Sequence, residues 1–501
     1  MIKSNLKTSV IVLAFIFALA ACSSAATNQT SSAPAASPTA TALQKPSITL
    51  QPCTLGTTLA QCGTLRVYEN RAARTGRMID LRVAVIKARG DHLSPDPIFY
   101  LAGGPGGAAT EDAAQSQQFP LSLSENHDLV FVDQRGTGGS HRVLIPDSQL
   151  DLTGLTPEEI DTKAKEWVAK VLQEIDMDPR FYTTSVAMDD LDEVREALGY
   201  DKINLYGYSY GATAAQYYLR QHGDHVRTMT LGGGSLLDIP VFERWAKNGQ
   251  QALDKIFDRC QADAACQAAF PNVRDEFKAL QARLAAQPET ISNDSQTVSV
   301  TLTSDVFAAT IRNMTKDSKY DPGLLLLIHQ AYQANDWKSL TQFFAGGGGP
   351  EWWGNQFMEH IIRCGEKWAA FEPETVSRLS EGSYLKGWDV SLAQKQAFSC
   401  KYTPPGEMPE GLAPQSGSQV PVLIFNGEVD PIGPPENMAG AKALWPNSTA
   451  VVLPFQGHTF SDRDAVFCMW SIMDEFIQSG SANGLHTDCL KSITAPTFVT
   501  H

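Results

Sequence analysis

Short runs of apolar and β-branched residues recur along the first half of the chain and alternate with stretches of helical spacing. The runs lie at 63–69, 78–87, 97–102, 128–133, 203–207 and 227–231. Strands that alternate with helices in this way are typical of a mostly parallel sheet with helices packed on it. The pattern therefore predicts an α/β fold.

A long helical pattern interrupts this alternation between residues 235 and 418. Apolar residues recur there at spacings of three and four, as at Phe277, Leu280 and Leu284. Strand patterns return at 420–425 and 450–453, before a final helix at 465–477. Because α/β sheets bind ligands beside their strand ends, we expect a helical cap at 235–418, inserted before the last two strands. The core is then formed by 47–234 and 419–501.

The N-terminal residues have the pattern of an export signal. Two lysines precede an apolar run at 10–21, which is too short to span a bilayer but suits a signal peptide. Small residues before Cys22, and a polar run after it, resemble the lipobox of bacterial lipoproteins. We expect a signal peptide at 1–21, a lipidated Cys22 and a flexible Ser/Ala/Thr/Pro tether at 22–46. The protein would be exported and lipid-anchored at the cell envelope. An ordinary cleaved signal peptide is the alternative.

The net charge of the 501-residue chain argues against a nucleic-acid partner. There are 40 Lys and Arg against 55 Asp and Glu, a formal charge of −15, and such a surface repels phosphates. The sequence contains no HExxH segment, P-loop or dinucleotide-binding glycine fingerprint. We therefore expect no metal and no organic cofactor.

The cysteines are consistent with export. Apart from Cys22 there are eight, and an even number in an exported chain indicates disulfides. Eight cysteines allow many connectivities. Pairing of sequence neighbours predicts Cys53–Cys62, Cys260–Cys266, Cys364–Cys400 and Cys468–Cys489.

A candidate nucleophile follows the predicted strand at 203–206. The segment 207–211 reads Gly-Tyr-Ser-Tyr-Gly, and a predicted helix follows at 212–220. Gly-x-Ser-x-Gly between a strand and a helix is the pattern of a nucleophile elbow, in which two glycines permit a tight turn that exposes the serine. The sequence predicts that Ser209 is a nucleophile.

A serine nucleophile needs a base and an orienting carboxylate. In α/β folds with a nucleophile elbow, these residues follow along the chain in the order Ser, Asp, His. Asp430 comes directly after the strand at 420–425, and His458 follows the last strand. We predict that these two residues complete a catalytic triad. Glu428 is a competing acid in the same loop, and Asp430 could instead begin an Asp-Pro turn.

The oxyanion of an acyl-transfer reaction needs two backbone N–H donors. One is expected from Tyr210, directly after the nucleophile, and the other from Gly104 or Gly103 in the glycine-rich loop after the strand at 97–102. Asp133 and Arg135 are expected to brace the neighbouring loop.

Several of these segments together resemble a known family. Segments 101–106, 133–138, 190–199 and 207–211 are similar to the prolyl- and tripeptidyl-aminopeptidase branch of the α/β-hydrolases. The cysteine segments at 260–266 and 364–366 and the tail at 468–489 resemble the tripeptidyl type. The resemblance implies a secreted serine exopeptidase acting on free N-termini. The sequence departs from the family pattern at 231–234, Gly433 and Thr459, which bears on substrate preference.

An aminopeptidase must recognise an ammonium group, which needs a carboxylate near the nucleophile. The resemblance suggests Glu366 in the cap, although an ion pair with Arg363 or Lys367 is an equal alternative. Three tryptophans could line the pocket or belong to the cap core: Trp352, Trp353 and Trp368.

The leading hypothesis is therefore an exported serine exopeptidase that releases amino acids or short peptides through an acyl-enzyme. An ester hydrolase with the same residues is the first alternative, because a triad does not distinguish an amide from an ester. A non-catalytic lipoprotein that binds peptides is the second. Blocking the substrate's N-terminus discriminates between the first two.

Overall fold

The computed structural model describes residues 46–115, 121–143, 155–292, 299–345, 357–408 and 417–501. The predicted signal peptide, Cys22 and the tether up to residue 45 lie outside these ranges. Within them, no helix combines the length and the apolar character that crossing a membrane requires.

The strands form one large sheet and one hairpin. They are β1 (Gln51–Leu55), β2 (Thr58–Tyr68), β3 (Met78–Ile86), β4 (Ile98–Leu101), β5 (Leu129–Val132), β6 (Ile203–Tyr208), β7 (Val226–Gly232), β8 (Glu289–Ser292), β9 (Ser299–Leu302), β10 (Val422–Gly427) and β11 (Ser448–Leu453). The nine-stranded sheet has the order β1-β2-β3-β5-β4-β6-β7-β10-β11. Its first four strands in this order pair antiparallel, and every pairing from β5 to β11 is parallel.

The helices are α1 (Ala109–Ala114), α2 (Pro157–Glu174), α3 (Thr184–Leu198), α4 (Tyr210–His222), α5 (Trp245–Ala262), α6 (Ala264–Ala269), α7 (Val273–Ala286), α8 (Ser304–Met314), α9 (Asp321–Ala334), α10 (Lys338–Ala345), α11 (Phe357–Gly365), α12 (Pro373–Leu379), α13 (Lys386–Cys400), α14 (Ala441–Leu444) and α15 (Arg463–Ser479). Helices α5 to α13 lie between β7 and β10. The fold is therefore the expected α/β sheet with a helical insertion before its last two strands, whereas the exact limits of the cap at 235 and 418 stay a prediction.

Helix boundaries follow local sequence. The hydroxyl of Thr183 accepts from the backbone N–H of Val186 at the start of α3, and Gly199 ends this helix with a left-handed φ of 84°. Thr156 and Glu159 form a reciprocal capping box at the start of α2. These signals set the first residue of α2 and both ends of α3.

Both faces of the sheet are buried, so its central strands are apolar throughout. In β4, Phe99 and Leu101 pack in a cluster that includes residues of α3 and α4, whereas Ile98 and Tyr100 pack in a second cluster that includes residues of α15. A third cluster, around Phe257, is formed mainly by residues of the helical insertion, together with Val429 and Phe498. The insertion thus has a core largely of its own.

Two features differ from the sequence-based expectation. The sequence does not predict strand β1, because segment 51–55 has no alternation of buried and exposed positions. Leu55 is its one buried residue. The hairpin of β8 and β9 lies inside a region expected to be largely helical. The four disulfides join the pairs that neighbour pairing predicts, Cys53–Cys62, Cys260–Cys266, Cys364–Cys400 and Cys468–Cys489.

Candidate active site

Ser209 lies on a sharp turn between β6 and α4. Its φ is +56°, in the left-handed region that a side chain other than glycine's rarely adopts. A Cβ at Gly207 would collide with the carbonyl of Gly211, and one at Gly211 would collide with the carbonyl of Leu101. The two glycines of the motif are therefore required by the close approach of three backbone segments, and the turn lifts Ser209 to the end of the sheet.

The structure brings Ser209, His458 and Asp430 into one hydrogen-bonded row. The Oγ of Ser209 lies 3.0 Å from Nε2 of His458. The Nδ1 of the same ring lies 2.9 Å from Oδ2 of Asp430. A histidine with its proton on Nδ1 presents Nε2 as an acceptor to the serine hydroxyl, which is the geometry that general-base activation requires.

The carboxylate of Asp430 is fixed by its own loop. Its Oδ1 accepts backbone N–H groups from Ile432 at 2.7 Å and Gly433 at 3.0 Å, and the residue is 1% exposed. Glu428, the competing acid, accepts the backbone N–H of Phe455 at 2.9 Å instead. Of the two acids, Asp430 faces the imidazole.

The backbone around His458 is held from two sides. The hydroxyl of Tyr208 donates to the carbonyl of His458, and burial raises the pKa of Tyr208 well above its ordinary value, so the hydroxyl keeps its proton. The N–H of Thr459 donates to the carbonyl of Lys316 in the cap, at 2.6 Å. Sequence reasoning missed both contacts. The one signal in the sequence for the first contact is that Tyr208 directly precedes the nucleophile, which places its side chain near the catalytic residues.

Two departures from the family pattern lie against each other beneath His458. A Cβ at Gly433 would lie 2.5 Å from the carbonyl oxygen of Gly233. Gly233 has a φ of +58°, and a Cβ there would lie 3.2 Å from Cε1 of His458. The lack of a side chain at Gly433 therefore makes room for the carbonyl of Gly233. The lack of one at Gly233 allows its backbone to lie close to the imidazole.

Of the expected oxyanion donors, Tyr210 directly follows the serine and Gly103 lies against it. Tyr210 is the first residue of α4, so its N–H has no acceptor within the helix. In the loop after β4, a Cβ at Gly103 would lie 3.3 Å from Cβ of Ser209. Gly104 has a φ of +122° and precedes a cis peptide to Pro105. The glycine-rich loop thus approaches the nucleophile closely, as a backbone donor must.

Asp133 and Arg135 brace the neighbouring loop, as predicted. The carboxylate of Asp133 accepts the N–H of Thr110 and the N–H of Gly139, both at 2.8 Å. The guanidinium of Arg135 makes a two-pronged contact with Asp190, at 2.7 and 2.8 Å. Both side chains are buried.

Glu366 is buried beneath the site. The residue is 3% exposed; its Oε1 accepts the N–H of Thr184 at 2.6 Å and its Oε2 accepts the indole N–H of Trp368 at 2.5 Å. Burial raises the pKa of Glu366 to about 7, against the lowering effect of these hydrogen bonds. Arg363, one expected ion-pair partner, pairs with Glu359.

Trp368 is 8% exposed and packs against the ring of Phe242 at 5.7 Å between centroids, so it belongs to the interior of the cap. Trp352 and Trp353 lie outside the described residues.

A group of potential metal ligands lies at the other end of α4. Within the described ranges, ligand atoms of Asp192, His222 and His225 lie within 4.8 Å of one another. The guanidinium of Arg195 already contacts both oxygens of Asp192, at 2.7 and 3.2 Å. This cation disfavours a second one at the same carboxylate, and the 13-residue helix puts the group roughly 20 Å from Ser209.

Comparison with known proteins points to one fold family. A family model described as alpha/beta hydrolase fold matches residues 96–464. Serine protease Hip1 of Mycobacterium tuberculosis is 28% identical over 366 residues, which cover 69% of this chain and 64% of that protein. Tripeptidyl aminopeptidase of Streptomyces lividans is 30% identical over 186 residues, 34% of each chain.

Among solved structures, proline iminopeptidase of Mycobacterium smegmatis is 14% identical, with a TM-score of 0.36, over 83% of this chain and 98% of that one.

Proposed function

This chain belongs to the α/β-hydrolase fold family, and on that premise we propose that it is an exported serine exopeptidase that releases short peptides or amino acids from free N-termini. The observation that carries the proposal is the row of contacts from Ser209 Oγ to His458 at 3.0 Å and from His458 to Asp430 at 2.9 Å. Similarity to a serine protease and to a tripeptidyl aminopeptidase supports a peptide substrate.

The reaction follows from these contacts. The Oγ of Ser209 attacks the scissile carbonyl while Nε2 of His458 accepts the hydroxyl proton, and Asp430 stabilises the resulting imidazolium. The N–H groups of Tyr210 and Gly104 stabilise the oxyanion. His458 then gives its proton to the leaving amine. Water, activated by the same imidazole, hydrolyses the acyl-enzyme and restores Ser209.

Export is supported by the four disulfides, which persist in oxidising compartments. A lipid anchor at Cys22 would hold the enzyme at the cell envelope, on the evidence of the sequence pattern alone. Palmitate labelling of cells that express the wild-type chain and the Cys22→Ala variant tests this part separately. Label in the wild-type chain alone supports the anchor, and label in neither chain overturns it.

An ester hydrolase is the second candidate, and one observation favours it. The carboxylate expected to hold the substrate's ammonium, Glu366, gives both oxygens to Thr184 and Trp368 and is almost fully enclosed. An ester needs no such anchor.

The test compares three substrates on the purified full chain. They are a tripeptide anilide with a free amine, its N-acetylated twin and a short-chain nitrophenyl ester, with Ser209→Ala as the control for background hydrolysis. Cleavage of the free-amine anilide, with the acetylated twin at least 100-fold slower, supports the exopeptidase. Ester turnover with neither anilide cleaved overturns it and establishes the ester hydrolase.

A further inference from the structure

The buried contacts of Glu366 join the cap to the hydrolase core. Glu366 follows α11 directly, whereas Thr184, whose N–H it accepts at 2.6 Å, is the first residue of α3. The first N–H groups of a helix have no partner within it, and a carboxylate there is favoured by the helix dipole. Glu366 therefore caps a core helix from the cap side.

Two of the residues that donate to Glu366, Thr184 and Trp368, also touch Tyr210, and Tyr217 is a further partner of the carboxyl group. The hydroxyls of Thr184 and Tyr210 share a hydrogen bond of 2.8 Å. The ring of Trp368 packs on the ring of Tyr210 with 5.9 Å between centroids. Tyr210 is 5% exposed, and two of the side chains that pack against it are partners of Glu366.

The backbone N–H of Tyr210 is the expected oxyanion donor next to the nucleophile. Tyr210 follows Ser209 directly and begins α4, with its N–H at the open end of the helix. An oxyanion donor stabilises the transition state only if it already points at the position where the charge develops. A side chain clamped on two sides fixes the direction of this N–H before substrate binds.

We propose that Glu366 is a positioning residue, which holds Thr184 and Trp368 against Tyr210 and thereby orients the oxyanion donor. The inference rests on the proposed function, since it takes Tyr210 as that donor. It assigns the buried carboxylate a role in acylation and in deacylation for every substrate, with or without an amine, because an oxyanion forms in both steps.

The chemistry of the contacts explains why a carboxylate is used. Above its pKa of about 7, Glu366 is a carboxylate that accepts from a backbone N–H and an indole N–H at once, and hydrogen bonds to an ionised group are stronger than those between neutral groups. A glutamine has one oxygen, and its –NH₂ group can accept neither bond. Glu366→Gln therefore keeps the size of the side chain and loses the hydrogen bond from either the Thr184 N–H or the Trp368 indole.

The test measures kcat and KM on the nitrophenyl ester, which has no amine. Glu366→Gln is expected to lower kcat about 10-fold to 100-fold with KM unchanged, because misdirection of one donor costs less than its removal. Tyr210→Phe breaks the bond to Thr184 from the other end and is expected to lower kcat in the same way. The double variant should fall no further than the larger single effect.

The matched control is Glu243→Gln. Glu243 is also a buried carboxylate in the cap, 6% exposed, and accepts a backbone N–H from Glu372 at 3.1 Å. We expect its kcat on the ester to stay within twofold of the wild-type value. Thermal midpoints well above the assay temperature in both glutamine variants separate positioning from a general loss of folding.

Three outcomes overturn the inference. An unchanged kcat on the ester in Glu366→Gln does so, and if that variant does not fold, an unchanged kcat in Tyr210→Phe does so. A higher KM for the free-amine anilide alone assigns Glu366 to the substrate's ammonium instead. Failure of the wild-type chain to cleave any anilide refutes the exopeptidase but leaves the ester comparison intact, so the two failures are distinguishable.

Discussion

The pair of glycines beneath His458 gives a sharp prediction for Gly433→Ala. A Cβ at Gly433 would lie 2.5 Å from the carbonyl oxygen of Gly233 and 3.0 Å from that of Gly234. Real Cβ atoms do not approach a backbone oxygen to 2.5 Å. The segment that contains Gly233 must therefore move, although nothing in the conformation of Gly433 itself opposes an alanine.

The segment that must move lies beside the catalytic base. Relief of the contact to an ordinary 3.4 Å or so requires a shift of about 1 Å, and the space above Gly233 is already occupied by the imidazole of His458. Overpacking of this kind costs about 1–3 kcal/mol of stability. A displacement of about 1 Å in a catalytic group costs about 100-fold in rate. We expect kcat/KM to fall 10-fold to 100-fold.

The assay is ester hydrolysis by the wild-type chain and two alanine variants, together with thermal unfolding. Gly323→Ala is the matched control, since a Cβ at Gly323 in α9 meets no described atom within 4 Å. That substitution should leave kcat/KM unchanged and raise stability by about 0.5–1 kcal/mol, because alanine loses less backbone freedom than glycine in a helix.

A kcat/KM in Gly433→Ala equal to that of the wild-type chain would refute the reasoning. It would mean that the two loops separate without disturbing His458, and that the departures from the family pattern at these positions are independent of each other.

Three further predictions concern stability, each measured by urea denaturation. Arg135→Leu should cost about 1–3 kcal/mol, because the carbonyls of Glu69 and Phe181 lose their donor while Asp190 keeps Arg71 as a partner, whereas loss of the exposed pair in Arg66→Leu should change nothing measurable. Replacing Cys468 and Cys489 by serine should cost about 3 kcal/mol, from the 21-residue separation. Burial raises the pKa of Glu366 from 4.5 to about 7, so between pH 4.5 and about pH 7 the folded chain holds a proton that the unfolded chain has lost. The free energy of unfolding should therefore fall by about 3 kcal/mol as the pH rises through this range. Glu366→Gln should remove this fall. An equal pH dependence in both chains would contradict the last of these.

The sheet was predictable because its strands carry their own signals. Strand β4 is a short apolar run that ends in glycines, and β6 leads into a motif whose spacing defines the turn. Strand β1 has no such signal. Its residues before Leu55 are largely exposed, and Pro52 weakens any strand pattern, so its pairing with β2 is visible only in the folded chain.

The three residues at the centre of the candidate site were predictable from their order along the chain. Ser209 lies in a motif, and Asp430 and His458 each follow a predicted strand. Their common neighbourhood results from parallel strands, whose carboxyl ends meet at one edge.

The supports of the site were not predictable, because they join residues far apart in sequence. Glu366 accepts a hydrogen bond from a residue 182 positions earlier, and nothing in its surrounding sequence indicates this partner. The same holds for Gly233 and Gly433, which lie in different loops and look like ordinary turn residues in the sequence. Such contacts depend on how the loops converge, which local patterns do not specify.

The most direct test of the central claim is the reaction of the full chain with a tripeptidyl phosphonate that has a free amine, followed by mass analysis of the modified peptide. We predict one adduct, on Ser209, that is absent from Ser209→Ala and forms at least 10-fold more slowly with the N-acetylated reagent. An adduct at another residue, or none, would contradict the assignment of Ser209 as the nucleophile. Equal rates for the free and acetylated reagents would contradict the exopeptidase.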